Sequence, residues 1–314
     1  MSGASVIICT YRRGDALRRV LDDLAGQTVP PGEVIVVDGS GADSGPAAAV
    51  REASAAHPTL PVRLIESPAG LTRQRNAGLE GSAGDPICFF DDDVSLPPRF
   101  LATALSVLRE PAHADVVGIT GWDSSYFGQP ITTGWRLRRW LGILPPLAAG
   151  GVDRIGRRVP LELAVRSSAP QQVGWLQGCC MIYRRAAVAD LRFDVVLPTY
   201  GGEDREFSGR VASRGRLLLV PDLEYVHHRS PVAREAEWRR LFQVGFGMGR
   251  GFARRRLRGG DVATAVRYTA GEATLQLLRF ARRPLRADVR AVTAVPAGVL
   301  AGVRSDRSSA GDRV

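Results

Sequence analysis

Four short apolar runs rich in β-branched residues, SVIIC (5–9), EVIVVD (33–38), PVRLIES (61–67) and PICFFD (86–91), are separated by amphipathic stretches. Strands buried on both faces read as continuous apolar runs, so this alternation predicts an α/β fold with a mostly parallel sheet and helices on both faces. ALRRVLDDLAGQ (16–27) is expected as a helix with Leu17, Val20, Leu21 and Leu24 on one side and Asp15 as its N-cap. LTRQRNAGLEGS is expected as a helix ending near Gly81 or Gly84, and PRFLATALSVLRE as one with Pro98 near its first turn. DVVGITGW (115–122) adds a strand. Residues 123–170 carry no clear periodicity. Order returns with WLQGCCMIYRRAAVADL (175–191), followed by LPTYGGEDREFSGRVASRG as a loop, RLLLVP (216–221) as a strand and a basic helical tail from about residue 234.

With 314 residues and 45% hydrophobic composition, the chain has room for a main domain and an appendage, here expected as residues 1–230 and 231–314. The four cysteines are spaced for neither a disulfide framework nor a zinc site, and are expected as reduced packing residues of a cytoplasmic protein. The apolar start is too short for a signal peptide, and AVTAVPAGVLAGV (291–303) falls short of the roughly 20 residues that span a bilayer.

The net charge is +10, and all 42 basic residues are arginine. Without lysine a GxxxxGK phosphate loop is excluded, and no GxGxxG is present. Between Arg229 and Arg290 stand 15 arginines and five acids, so the tail holds the whole surplus. Mixed with Phe, Leu and Gly, this charge suits an interfacial helix over WRRLFQVGFGMGRGFARRRLR on an anionic membrane surface; a helical extension packed within the protein is the other reading. ITTGWRLRRWLGILPP (131–146) is a second candidate contact, or a lid. No recognised nucleic-acid motif accompanies the charge, and nucleic acid is not expected as a partner.

In open α/β sheets ligands bind beyond the carboxyl ends of the strands. There the chain places Thr10, Tyr11, Arg12 and Arg13, then Asp38, then Asp91, Asp92 and Asp93, and later His227 and His228. Three adjacent carboxylates repel unless a positive charge joins them, and residues i and i+2 of an extended segment share one side. Asp91 and Asp93 are therefore expected to share a divalent cation, Mg2+ or Mn2+, while Asp92 points elsewhere; an acidic loop capping the next helix is the bland alternative. Asp38 in Asp-Gly-Ser is equally ordinary turn chemistry. Glu203 and Asp204 offer either a general base or a surface acidic pair.

Taken in order, SVIICTYRR, EVIVVDGS, GLTRQRNAGL, CFFDDDV, GCCMIYRR, GGEDREF and VHHRS resemble the second family of inverting glycosyltransferases, over about residues 4–230. The resemblance implies a GT-A fold and transfer of a sugar from a nucleotide-diphosphate donor to a hydroxyl of a glycan or polyprenyl-linked acceptor. It implies donor contacts at Thr10, Tyr11, Arg12, Asp38, Arg75, Asn76 and Asp91, with Asp92 facing the donor sugar. It assigns the metal to Asp91 and Asp93 with His227 nearby, the adjacent His228 leaving the choice of histidine open, the catalytic base to Asp204 with Glu203 beside it, and the acceptor side to GWLQGCC, including Trp175 and Gly178. Trp175 is expected either to stack on a sugar or to fill the core. Such an enzyme is expected on the inner face of the cell membrane, making cell-surface polysaccharide or glycolipid. The rival functions are a metal-dependent nucleotidyl- or phosphotransferase and a non-catalytic nucleotide-sugar-binding protein.

Overall fold

The computed structural model describes residues 3–41, 45–229, 236–255, 257, 259–282 and 289–311, the last five by backbone alone. The boundary expected at residues 230–231 lies outside the described residues. In chain order the elements are β1 (Ser5–Thr10), α1 (Gly14–Ala25), β2 (Glu33–Asp38), α2 (Gly45–Ala56), β3 (Val62–Glu66), α3 (Leu71–Gly81), β4 (Ile87–Asp91), β5 (Val94–Ser95), α4 (Phe100–Arg109) and β6 (Val116–Asp123). There follow α5 (Thr133–Trp140), β7 (Gln171–Val173), β8 (Cys180–Tyr183), α6 (Arg185–Val188), α7 (Glu203–Val211), β9 (Arg216–His227), α8 (Glu237–Arg254), α9 (Gly259–Arg282) and α10 (Arg290–Gly311).

The chain forms two compact units, one of residues 1–128, 165–195 and 207–233, the other of residues 129–164, 196–206 and 234–314. The first unit holds the sheet, ordered β3-β2-β1-β4-β8-β6-β9-β5 with β7 also on β9. Strands β1 to β4 run parallel, β8 runs antiparallel between β4 and β6, and β6 and β9 are parallel. The expected mostly parallel sheet is thus present. Alternate residues divide its two faces. Val6, Ile8, Val34, Val36, Cys88 and Phe90 pack with α1, α2 and α4. On the opposite face α3 lies so close that a Cβ on Gly78 would strike Ile7 and crowd Val37.

Local differences from the sequence expectations have physical reasons. The α1 face Leu17, Val20, Leu21 and Leu24 is buried as expected, but Asp15 lies inside the first turn, where its charge still complements the helix dipole. The cap position is Arg13, a side chain with no acceptor for the helix N–H groups, which donates to Asp92 and Asp93. Helix α2 was not foreseen because its buried face, Ala47, Ala49, Val50 and Ala53, is too small to give a strong apolar rhythm. GGEDREF opens helix α7 rather than lying in a loop. Strand β9 continues past Pro221 to His227. A bulge absorbs the proline: β6 and β9 are in step from Gly118–Leu217 to Gly121–Val220 and resume at Trp122–Glu224. Only glycine fits at 121, where a Cβ would collide with the Leu223 carbonyl.

In the second unit, glycines on α8 and α10 let two backbones touch. A Cβ on Gly245 or Gly249 would meet the carbonyls of Val295 and Val299, and one on Gly298 or Gly302 those of Phe242 and Phe246. Such small-xxx-small spacing on both partners permits close helix packing. Met248 and Phe252 of α8 then join Ile143, Ile155, Tyr268, Leu275, Val295 and Val299 in a separate core. The apolar side of α8, expected on a membrane, is in good part consumed by this packing; Arg256 and Arg258 of the same segment lie outside the described residues. Among the described residues no helix is long and apolar enough to cross a membrane. The described cysteines are all free thiols, and only Cys9 is not fully buried.

Gly121→Ala is expected to lower stability by about 1–3 kcal/mol, since an inserted methyl must displace backbone at the bulge. The shift of the urea midpoint measures this, and an unchanged midpoint contradicts the bulge assignment.

Candidate active site

The parallel register brings the ends of three strands together. Thr10 on β1 sits opposite Asp38 on β2, and Cys9 opposite Asp91 on β4. Chain order reverses here, since β2 and β3 extend to one side of β1 and β4 to the other, which makes the crevice a topological switch point.

Within the triplet the side chains divide. Asp92 is almost fully buried and accepts a hydrogen bond from Thr10 Oγ1 at 2.7 Å and one from Arg13 Nη1 at 3.0 Å. Burial pushes its pKa up to about 6, although Arg13 and the Thr10 hydroxyl favour the carboxylate. Both oxygens of Asp92 are thus directed to the protein, where a contact with the donor sugar was expected. Asp91 and Asp93 turn to the other side. Asp93 Oδ1 lies 3.1 Å from His227 Nε2, and Asp91 Oδ2 3.8 Å from the same nitrogen. Asp93 is buried, while Asp91 keeps 32% of its side chain exposed and forms the open rim.

His227 reaches the acids because β9 runs on to them and pairs antiparallel with β5, with His227 opposite Val94. His228 is turned outward and its ring meets Ser95 Oγ at 2.8 Å, so the two histidines are distinguished. Asp123, fully buried at the end of β6, fixes this strand end. It accepts from the His227 backbone N–H at 3.4 Å, from Ser125 and from Arg229 Nη2 at 2.8 Å. Arg229 in turn lies 3.6 Å above the Tyr126 ring centre. Burial disfavours a charged His227, but the adjacent Cys179 sulfur and the Asp93 and Asp91 carboxylates outweigh it and raise its pKa to about 11.

Asp91, Asp93 and His227 each offer one ligand atom, and the three atoms lie within 4.8 Å of one another. Two carboxylates and an imidazole with one open side suit Mg2+ or Mn2+, hard cations that keep positions free for water or phosphate oxygens. The donor set therefore fits the expected cation.

The neighbouring residues serve varied ends. Asp38 is buried and its Oδ1 accepts from the Ser40 N–H at 2.8 Å, an Asx turn. Ser40 Oγ accepts from the Arg12 N–H at 2.7 Å, and Arg12 adopts a left-handed backbone with φ 58°. Tyr11 is exposed at the same turn. Gln74, which the sequence did not single out, donates to the carbonyls of Thr10 and Val37 and so ties β1 to β2 just below the turn. Arg75 donates to the Gly178 carbonyl at 2.9 Å and lies 3.7 Å from Asp91. Asn76 is engaged at both ends of its amide by the backbone of Phe193. Trp175 is 2% exposed, which makes it a core residue.

Glu203 and Asp204 belong to the other unit. They occupy the first turn of α7, with Glu203 buried and Asp204 Oδ1 accepting from the Arg205 N–H at 2.8 Å. Arg158 stands in the same group; burial and Arg205 pull its pKa down to about 10, while Asp204, Glu162 and Glu203 hold it up.

The sequence profile described as glycosyl transferase family 2 matches residues 5–192. The chain belongs to this family. The transferase is 27% identical over 250 residues to the N-acetylglucosaminyl-diphospho-decaprenol L-rhamnosyltransferase of Mycobacterium tuberculosis, covering 72% of this chain and 76% of that one. It is 28% identical over 311 residues to the succinoglycan biosynthesis protein ExoM of Rhizobium meliloti, covering 94% and 91%. Among solved structures, the mannosyltransferase PcManGT from Pyrobaculum calidifontis, in complex with GDP-Man and Mn2+, superposes with a TM-score of 0.57 at 19% identity, covering 98% of this chain and 87% of that one. The GT-A fold expected from the motifs is thereby shown.

Removing the Arg13 cation leaves buried Asp92 and Asp93 less compensated. Arg13→Met is expected to destabilise the metal-free transferase by about 2 kcal/mol near neutral pH, and the added change Asp92→Asn to recover most of the loss. Urea denaturation in a chelator measures both, and a neutral single variant contradicts the charge pairing.

Proposed function

We propose that the transferase moves a sugar from a nucleotide-diphosphate donor to a hydroxyl of a glycan or lipid-linked glycan acceptor, with inversion at the anomeric carbon and dependence on a divalent cation. The observation that carries this reading is the convergence of Asp91, Asp93 and His227 at the switch point of the sheet. The relatives give support: one is named for an acceptor on a decaprenol diphosphate, one for succinoglycan biosynthesis, and the mannosyltransferase complex contains GDP-Man and Mn2+. Synthesis of cell-envelope polysaccharide or glycolipid at the inner face of the membrane follows as the physiological setting.

In this mechanism Asp91, Asp93 and His227 would hold Mg2+ or Mn2+, which would supply positive charge for the departing diphosphate. Thr10, Tyr11, Arg12 and Asp38 line the nucleotide side at the β1 and β2 ends. Thr10 and Arg13 hold Asp92 in place beside the two ligands and so preserve their orientation. Arg75, anchored on Gly178, keeps a guanidinium beside Asp91, where it counters negative charge on the donor. Asn76 contributes by fixing the chain at Phe193, and Trp175 by anchoring the acceptor-side segment GWLQGCC in the core through its own burial. Asp204 removes the proton from the acceptor hydroxyl as that oxygen attacks from the face opposite the leaving nucleotide, with Glu203 next to it in the helix turn. The new C–O bond forms as the bond to the diphosphate breaks, and the nucleoside diphosphate leaves.

The test is a panel of UDP-, GDP- and dTDP-sugars, scored for donor-induced thermal stabilisation with and without Mn2+ and for nucleoside diphosphate release. At least one donor is expected to stabilise the wild type in a Mn2+-dependent way, and Asp91→Ala to remove that response. Asp204→Asn is expected to keep the stabilisation while turnover falls by about 10²–10⁴-fold. No response to any donor overturns the proposal, and undiminished turnover by Asp204→Asn removes that residue as the base.

A further inference from the structure

Helix α9 presents two unlike faces. Its inner side, with Ala265, Tyr268, Gly271 and Leu275, is buried. Its outer side carries Val262, Val266, Leu277 and Leu278, with exposures of 48%, 63%, 54% and 41%. Ala263 and Ala270 are exposed between them, so an apolar stripe runs along most of a 24-residue helix.

The stripe is extended by α5. Arg267 Nη2 donates to the Trp140 carbonyl at 2.8 Å, which seats the end of α5 beside the first half of α9. Trp140 itself is 73% exposed. Large apolar side chains grouped in this way on a surface mark a place where something binds.

The charges around the stripe decide what binds. Arg136 and Arg139 on α5 and Arg267, Arg279 and Arg282 on α9 are exposed, Arg279 lying 3.7 Å from Glu237 of α8, whereas Glu272 of α9 is half-buried and faces Arg138 and Arg279 as counter-charges. Asp261, the other acid of α9, lies in its first turn. A second copy docking by the same patch would set these arginines against one another, because a two-fold interface pairs a patch with itself. An anionic bilayer meets both features: its phosphates answer the guanidinium groups, its acyl boundary takes the valines and leucines, and an indole with an apolar body and one polar N–H suits the headgroup region.

We infer that the α5–α9 face, with Trp140 and the Val262-to-Leu278 stripe at its centre, docks the second unit on an anionic lipid surface. The inference deepens the proposal of a lipid-linked acceptor and rests on it for its biological meaning, while the surface itself is defined by exposure and charge. It also relocates the membrane contact from α8, whose apolar side packs against α10, to α9.

The experiment is flotation of the full chain with vesicles of phosphatidylglycerol and phosphatidylcholine, compared with phosphatidylcholine alone and with high salt. Wild type is expected to float with the anionic vesicles, and Trp140→Glu and Val266→Glu/Leu277→Glu each to lower the partition coefficient by about tenfold or more. Both variants change exposed side chains, and release of nucleoside diphosphate from a soluble donor in Mn2+ is expected to stay at the wild-type rate. Absence of wild-type flotation, or equal flotation of the variants, overturns the inference, as does a wild-type dimer that Trp140→Glu dissolves without any vesicle binding. Flotation that is lost in the variants while no donor is turned over by wild type sustains the docking surface and overturns the functional proposal instead, so the two failures are separable.

Discussion

Three carboxylates at the end of one buried strand set the terms for everything around them. Two are below 5% side-chain exposure, and like charges in that setting persist only when cations and hydrogen bonds answer them. Arg13 answers Asp92 and Asp93, Arg75 approaches Asp91, and His227 faces both Asp91 and Asp93. Each partner arrives on a different element, so the triplet ties the start of α1, the helix α3 and the end of β9 to the tip of β4.

This requirement gives sense to features that look irregular in isolation. The α1 cap position is held by Arg13, which has no acceptor for the helix N–H groups and instead places its guanidinium over Asp92. The bulge at Gly121 and Pro221 lets β9 run on beyond its pairing with the first part of β6 and deliver His227 opposite Val94. Asp123, with Ser125 and Arg229 on its two oxygens, then holds the strand end where the imidazole can meet the acids. Backbone devices of modest cost thus place a single side chain.

Much of this was visible beforehand, for identifiable reasons. The β1 to β4 runs and their helices declared themselves because strands buried on two faces carry unbroken apolar stretches. That Asp91 and Asp93 share one side and Asp92 takes the other is the arrangement expected of extended chain, but here a turn between β4 and β5 produces it, since Asp92 and Asp93 lie outside both strands. The choice between His227 and His228 was not legible, since it depends on a bulge whose effect on register no local pattern reveals. Helix α2 hid behind alanines, and α7 behind glycines and charges that resemble a loop. Gln74 was invisible because it bonds two carbonyls, a partner type without sequence signature. Trp175 shows the same limit from the other direction, for an indole beside glycines is compatible with a sugar platform until burial is known. In the tail, arginine density pointed to α8, yet only packing distinguishes a helix whose apolar side is used by α10 from one whose stripe faces outward.

In the proposed divalent-cation site of Asp91, Asp93 and His227 the imidazole is the most distinctive ligand. Electron spin-echo modulation of the Mn2+-loaded protein reads that ligand directly. Wild type is expected to show nitrogen coupling from one directly bound imidazole, lost in His227→Gln and retained in His228→Gln. A bound Mn2+ whose spectrum carries no nitrogen coupling in the wild type, or whose coupling survives His227→Gln, contradicts the site.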